Sequence, residues 1–173
     1  MMKNIVLVGF MGTGKTAVAK SLARDTGKKY VSIDDLIEKR EKRPINDIFR
    51  DDGEPYFRKV EKEIILEVSR GVSQVIDAGG GAVLDSGNID NLKSNGMIIC
   101  LWADPGTIYE RTHGHAHRPL LNCDDPERKI RELLDIRRPF YAKADFHIDT
   151  TDLDINGVVK KIKNIISGED RGK

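Results

Sequence analysis

The sequence predicts an α/β fold in which helices cover both faces of a five-stranded parallel sheet. Five short apolar segments have the length and composition of buried strands, at residues 4–8, 30–33, 74–78, 97–102 and 146–149. Stretches with helical periodicity separate them, so strands and helices alternate along the chain. At 173 residues we expect one domain over 1–173, with a frayed polar tail at about 167–173.

The first predicted strand runs into a phosphate-binding loop. Residues 9–16, GFMGTGKT, match G-x-x-x-x-G-K-[ST] with Gly9, Gly14, Lys15 and Thr16 at the fixed positions. The glycines let backbone N–H groups face phosphate oxygens, while the lysine reaches the β- and γ-phosphates and the threonine hydroxyl binds Mg²⁺. The helix-forming TAVAKSLA that follows turns its N-terminus toward the same phosphates. The predicted nucleotide-binding residues of this loop are Gly12, Thr13, Gly14, Lys15, Thr16 and Ala17.

The later helices carry recognisable start and stop signals. The stretch 54–71 has Phe57, Val60, Ile64 and Val68 on one helical face and ends at a glycine. Asp-Pro pairs at 104–105 and 125–126 predict N-caps followed by proline in the first turn.

Two segments interrupt the regular alternation of strands and helices. Residues 34–70 are too long for one crossover helix and predict two or three helices. Residues 112–124 lack periodicity and carry His, Gly and Pro. Because ligands of open α/β sheets lie at the carboxyl ends of the strands, one segment could hold a phosphate acceptor and the other could be a lid.

An acidic pair follows the second predicted strand directly. Asp34 could accept hydrogen bonds from a substrate hydroxyl and orient it for in-line attack. The alternative is that an aspartate caps the next helix, and one of Asp34 and Asp35 could cap while the other binds.

Arginines and glycines supply candidate anion contacts. Arg58 lies in the insert, and Arg137 and Arg138 lie in DIRRPFY; a guanidinium matches a carboxylate or phosphate with two hydrogen bonds, although a solvated helix face is the alternative. The triplet at 79–81 permits close backbone approach and leaves N–H groups for an anion, unless it is only a flexible turn. The predicted substrate-binding residues are Asp34, Arg58, Gly79, Gly80, Gly81 and Arg137.

The 112–124 segment contains three alternating histidines, His113, His115 and His117. Without Cys or acidic partners they predict no physiological metal site. Arg118 is a better candidate, because a cation on a closing loop acts as an arginine finger in cis. The predicted catalytic residues are therefore Lys15, Asp34 and Arg118.

Bulk properties exclude several classes of function. The net charge of +1 gives no electrostatic case for nucleic acid or an anionic membrane, and no apolar run is long enough to span a bilayer or to form a signal peptide. Cys100 and Cys123 stand far apart and predict neither a disulfide framework nor a zinc site. We expect a cytoplasmic monomer that acts on a small molecule.

The motifs together resemble one family. GFMGTGKT, IDDLIE, PINDIFRDDGEPYFRKVE, GGGAV, RPLL and RRPFY are similar, in order and spacing, to shikimate kinase over roughly residues 4–150. The resemblance implies a three-layer α/β/α kinase fold related to the nucleoside monophosphate kinases, with a helical substrate insert and an arginine-bearing lid. It implies transfer of the γ-phosphate of ATP, with Mg²⁺, to the 3-hydroxyl of shikimate in aromatic amino-acid biosynthesis.

The resemblance also implies residue roles. Asp34 would hold the shikimate hydroxyls. The carboxylate of shikimate would meet Arg58, Arg137 and the backbone of Gly80 and Gly81. Arg118 would be the lid arginine, and Arg111 would stack on adenine.

Two positions depart from the family pattern at the metal site. The family usually has Asp-x-Asp at the end of the second strand, where this chain has Ser32, while Asp77 stands where the family more often has a small or hydroxyl residue. We predict that Asp77 acts on Mg²⁺ through water together with Thr16, with Ser32 as a weaker candidate. The alternative is that Asp77 caps or hydrogen-bonds the glycine turn.

Two other functions compete with this interpretation. The chain could be another small-molecule kinase of the same fold, such as a gluconate or nucleotide kinase, but nucleotides lack the carboxylate that the arginines and glycines are suited to bind. It could also be a nucleotide-binding regulatory module weakened by the change at Ser32. No guanine-specifying Asn-Lys-x-Asp occurs, which excludes a switch GTPase.

Overall fold

A computed structural model describes residues 3–113 and 123–168 of the chain. Its five strands are β1 (Asn4–Gly9), β2 (Lys29–Ser32), β3 (Gln74–Asp77), β4 (Gly96–Trp102) and β5 (Phe146–Asp149). Its helices are α1 (Lys15–Thr26), α2 (Ile33–Glu41), α3 (Ile45–Ser69), α4 (Ser86–Ser94), α5 (Pro105–Thr112), α6 (Pro126–Tyr141) and α7 (Ile155–Ser167), with a short 3₁₀ turn at Ala82–Leu84. The predicted fold class and all five predicted strands are confirmed, with boundaries shifted by at most one residue.

The strands form one parallel sheet in the order β2-β3-β1-β4-β5. Side chains alternate between its faces, so β1 places Val6 and Val8 in one apolar cluster and Ile5 and Leu7 in the other. Helices α3, α4 and α6 contribute to the first cluster, and α1 and α7 to the second. Layers on both faces explain why the strands are apolar throughout.

The long insert consists of α2 and α3, and α3 is broken at Gly53, whose φ is 79° and ψ is 172°. Pro55 starts the second part of α3, as expected for a first helical turn. The predicted apolar face is confirmed, since Phe57, Val60 and Ile64 are buried. None of the described helices is both long and apolar enough to cross a bilayer.

The Asp-Pro prediction is also confirmed. The Asp104 carboxyl accepts from the Thr107 N–H at 3.0 Å, and the Asp125 carboxyl accepts from the Arg128 N–H at 3.0 Å. These caps fix the starts of α5 and α6, and α6 carries functional side chains to the sheet edge.

Candidate active site

The phosphate loop curls between β1 and α1 because its glycines adopt backbone angles that other residues avoid. The φ angles are 142° at Gly9, 78° at Gly12 and 89° at Gly14. A Cβ atom at Gly9 would lie 2.2 Å from the Leu101 carbonyl oxygen, so β4 leaves no room for a side chain there. The loop can therefore present backbone N–H groups to an anion, as the sequence predicts.

Two loop side chains close the turn on itself. The Lys15 Nζ donates to the Phe10 carbonyl oxygen at 3.0 Å, and the Thr13 hydroxyl donates to the same oxygen at 2.7 Å. Both residues are buried. Lys15 is thus held inside the loop, where a phosphate would meet its positive charge.

The next residue of the loop contacts an acidic side chain from β3. The Thr16 hydroxyl donates to the Asp77 carboxylate at 2.5 Å, and Asp77 is 6% exposed. The sheet register aligns Asp77 with Leu7 of β1 on one side and with Ser32 of β2 on the other. A carboxylate and a hydroxyl beside a phosphate loop form a hard-oxygen donor set, which fits Mg²⁺.

Ser32, the weaker metal candidate, has a structural role at the start of the next helix. Its hydroxyl oxygen accepts from the Asp35 N–H at 3.1 Å and so caps α2. The alternative that Asp34 or Asp35 caps this helix is therefore excluded. The reason is that the helix begins at Ile33, directly after Ser32, which puts both aspartates in its first turn.

Asp34 instead faces the glycine triplet. Its Oδ1 lies 3.3 Å from where a Cβ of Gly79 would be. Although the surface of Asp34 is exposed to solvent, the protein atoms around its carboxyl partly desolvate it. This desolvation, and then the negative charge of Asp77, raise the pKa of the Asp34 carboxyl above its usual range, while Lys15 opposes the shift. Asp34 is therefore a stronger base than an ordinary aspartate.

Each glycine of the triplet lies against a different ionic side chain. A Cβ at Gly80 would lie 3.5 Å from the Arg137 guanidinium, and one at Gly81 would lie 2.5 Å from that of Arg58. Only Gly79, with a φ of 73°, and Gly81, with its close approach to Arg58, are positions where a side chain would be strained or crowded; Gly80 would make ordinary contacts. The turn thus brings together the three ionic side chains that the sequence assigns to the substrate.

The two arginines are held differently. Arg58 donates to Glu61 at 2.9 Å and to Glu54 at 3.1 Å. Burial raises the pKa of the Glu61 carboxyl and the Arg58 charge lowers it.

Arg137 is buried over the Phe10 ring, 5.3 Å from its centroid, and contacts no carboxylate within residues 3–113 and 123–168. Arg137 therefore has a positive charge available for a bound anion.

Sequence reasoning missed two residues that support this cluster. Glu61 is 2% exposed and pairs with Arg58, and the Tyr141 hydroxyl donates to the Gly80 carbonyl oxygen at 2.8 Å. The sequence contained a signal for Glu61, because an acidic residue three positions after Arg58 on a helix lies on the same face and can pair with it. No local signal could have indicated the contact of Tyr141, since 61 residues separate it from Gly80.

A cavity of about 710 Å³ lies beside the phosphate loop, between α1 and α7. Its lining includes Gly14, Ala17, Arg111, Thr150 and Ile155. The Arg111 guanidinium donates to the Thr150 carbonyl oxygen at 2.9 Å and also reaches the Gly12 carbonyl oxygen at 3.4 Å. The position and size of the cavity fit the nucleoside part of a nucleotide whose phosphates occupy the loop.

The predicted lid falls largely outside the described residues. Arg118, His115 and His117 belong to that undescribed part, so neither the arginine finger nor the histidine prediction is tested. His113 is described, and its ring lies against that of Tyr109, with 5.4 Å between centroids. Within the described ranges, no group of three His, Cys, Asp or Glu side chains could hold a metal ion.

A parallel sheet whose first strand enters such a loop, with a carboxylate on the adjoining strand, defines the class of phosphate-loop nucleotide-binding proteins. The family model described as shikimate kinase matches residues 11–167. The chain therefore belongs to the shikimate kinase family.

Individual relatives agree over nearly the whole chain. A shikimate kinase of Thermodesulfovibrio yellowstonii is 47% identical over 161 residues, or 93% of either chain. One of Caldanaerobacter subterraneus is 46% identical over 161 residues, covering 93% of this chain and 94% of the relative. The solved shikimate kinase of Acinetobacter baumannii, in complex with shikimate, has a TM-score of 0.93 at 34% identity and covers 98% of this chain and 96% of that one.

Proposed function

We propose how the residues of this chain carry out the shikimate kinase reaction, the transfer of the γ-phosphoryl group of ATP to the 3-hydroxyl of shikimate. One observation carries the proposal: the turn at 79–81 gathers Asp34, Arg58 and Arg137 at the sheet edge that also carries the phosphate loop. The acceptor so defined has a carboxylate and hydroxyl groups. The activity of a gluconate kinase or of a regulatory module would give different results in the experiment below.

On the acceptor side, Arg58 and Arg137 bind the carboxylate and Asp34 accepts a hydrogen bond from the reacting hydroxyl. Two guanidinium groups fix the ring, so the hydroxyl approaches the phosphate in line. Asp34, with its raised pKa, is suited to take the hydroxyl proton as the oxygen attacks the γ-phosphorus, while the bond to the β–γ bridging oxygen breaks and ADP leaves.

On the donor side, the loop N–H groups and Lys15 hold the phosphates, and Arg111 packs beside the adenine in the cavity between α1 and α7. Thr16 and Asp77 are the residues that would hold Mg²⁺, Asp77 through water; the ion supplies positive charge to the β- and γ-phosphate oxygens. We leave Ser32 out of this set, because its hydroxyl oxygen caps α2. Arg118, on the lid at 112–124, is proposed to stabilise the charge of the transferred group.

We also propose that the protein acts as a monomer in the cytoplasm, without nucleic acid or membrane partners. The net charge of +1 supports the expected absence of nucleic-acid and membrane partners, and the two free cysteines fit a reducing compartment. Sedimentation of the purified protein at micromolar concentration tests the oligomeric state.

The experiment for the function is ADP release, coupled to a reporter enzyme, over a panel of shikimate, quinate, gluconate and nucleoside monophosphates. We expect release that depends on shikimate and on Mg²⁺. Release with gluconate alone would support the other kinase, and nucleotide binding without release would support the regulatory module. The variant Asp34→Asn should retain nucleotide binding while kcat falls strongly.

A further inference from the structure

The Gly80 carbonyl is held from one side by α6. The Tyr141 hydroxyl donates to its oxygen at 2.8 Å, and an Arg137 N–H lies 3.4 Å from the same oxygen, at the long limit for a hydrogen bond. Tyr141 is 2% exposed, so the shorter contact is shielded from water.

Tyr141 is itself fixed at its backbone, at the end of α6. Its carbonyl oxygen lies 3.0 Å from the His147 Nε2 of β5 and accepts from the Ala144 N–H at 3.0 Å. Burial raises the pKa of the Tyr141 hydroxyl to about 12, so the group stays protonated and remains a donor throughout the physiological range.

Holding the Gly80 carbonyl has a consequence for the next N–H. A peptide unit is planar and trans, so the carbonyl of Gly80 and the N–H of Gly81 point in opposite directions. With the carbonyl turned toward α6, the Gly81 N–H points away from that helix. Gly81 lies beside the Arg58 guanidinium, and its N–H has no acceptor in the described part of the chain.

We infer that Tyr141 is a positioning residue, which orients the Gly80–Gly81 peptide so that the Gly81 N–H meets the carboxylate of the bound acceptor. The inference rests on the proposed function, because it takes that carboxylate to lie between Arg58 and Arg137. Glycines on both sides of this peptide let it rotate with little steric cost. A hydrogen bond from outside the turn is therefore needed to keep one orientation.

The test compares shikimate with its methyl ester, which keeps the hydroxyls and lacks the negative charge. Dissociation constants for both ligands are measured by calorimetry on the wild type and on Tyr141→Phe, which removes only the hydroxyl. We expect the variant to bind shikimate about three- to tenfold more weakly, the range for one neutral hydrogen bond, and the ester with nearly unchanged affinity. The KM for shikimate should rise similarly, with kcat within about twofold and the KM for ATP unchanged.

The matched control is Tyr109→Phe, whose hydroxyl has no hydrogen bond in the described part of the chain and which should preserve the preference for acid over ester. If Tyr141→Phe weakens both ligands equally, or lowers the melting temperature without changing the preference, the inference is wrong. If the wild type itself does not distinguish acid from ester, the proposed carboxylate site fails, which is a separate result from failure at Tyr141.

Discussion

At the scale of single residues, the site depends on which charges have partners inside the protein. Arg58 already carries two carboxylates, Glu54 and Glu61, whereas Arg137 has an aromatic ring beneath it and a peptide carbonyl beside it. A carboxylate of the acceptor would therefore neutralise the charge of Arg137, whereas at Arg58 it would share the guanidinium with Glu54 and Glu61. The two arginines should not be equivalent when they are replaced.

Replacing Arg58 by Ala should chiefly raise the KM for shikimate. The loss should be about 2–4 kcal/mol in kcat/KM, because a desolvated carboxylate loses one of its paired charges. Steady-state kinetics in both substrates measures it. Arg138→Ala is the matched control, since this neighbouring arginine is 69% exposed and should leave the KM unchanged. Equal effects of the two variants would remove Arg58 from the acceptor site.

Asp77→Ala should raise the Mg²⁺ concentration needed for half-maximal rate. The Thr16 hydroxyl would lose its carboxylate neighbour, and with it the negative charge near the metal. Mn²⁺ binding followed by electron paramagnetic resonance, with ADP present, gives a readout independent of turnover. Ser32→Ala is the control: it should lose about 1 kcal/mol of cap stability and keep the metal requirement. An unchanged requirement in Asp77→Ala, with normal kcat, refutes the assignment.

The Asp34 carboxyl should titrate at a higher pH than an ordinary aspartate in the protein without metal or nucleotide. Desolvation and the charge of Asp77 raise its pKa, so the protonated form persists to higher pH. Asp77→Asn removes one negative charge and should move the Asp34 titration to lower pH. Carbon-13 NMR of the side-chain carboxyls measures both, and a titration at or below the ordinary aspartate range would contradict the expected shift.

At the scale of elements, the acceptor side and the donor side of the site come from different helices. The second part of α3 carries Arg58, and α6 carries Arg137 and Tyr141. The start of α1 carries Lys15 and Thr16, the last two residues of the phosphate loop. The break at Gly53 divides α3 and separates the part that bears Arg58 from the part that precedes it. The segment after α5 completes the donor side in the proposed arrangement.

The prediction at the scale of elements concerns Arg118 in this segment. Arg118→Ala should lower kcat far more than it weakens ADP binding, because the charge that it stabilises develops only in the transition state. Single-turnover kinetics and ADP calorimetry measure the two effects. The control is Arg128→Ala on α6, an arginine that is 76% exposed and pairs with Glu132, which should change neither. Equal losses in rate and in ADP affinity would make Arg118 only a binding residue.

At the scale of the whole molecule, the nucleotide would join α1 and α7, which cover one face of the sheet, to the sheet edge. The cavity between α1 and α7 adjoins the loop that follows the central strand β1, so a bound nucleotide contacts elements distant in sequence. Ligands that bind only the folded state stabilise it in proportion to the logarithm of their concentration.

Mg²⁺–ADP at about a hundred times its dissociation constant should therefore add about 2.7 kcal/mol of stability. For a chain of this length, the melting temperature should rise by roughly 5–10 °C. Differential scanning calorimetry measures the shift, with AMP as the control because it lacks the β-phosphate that Lys15 would hold. A melting temperature that does not change when Mg²⁺–ADP is added would contradict the proposed nucleotide site.

The sequence by itself determined the fold class and the positions of the five strands. Apolar runs of strand length, Asp-Pro caps and the phosphate loop are local signals, because each depends on residues within about ten positions of one another. The same locality explains why the cap of α2 stayed open between alternatives. Local sequence does not fix where a helix starts, and only the structure shows that Ser32 caps α2 and that Asp34 faces Gly79.

Only the tertiary structure decided which side chains meet. The sheet order places β3 between β2 and β1, so Asp77 lies in register with Ser32 and contacts Thr16 across 61 positions of sequence. The return of α6 to the same edge brings Arg137 and Tyr141 to Gly80. No local pattern contains these pairings, because they follow from strand order and from the packing of helices on the sheet, which depend on burial over the whole chain.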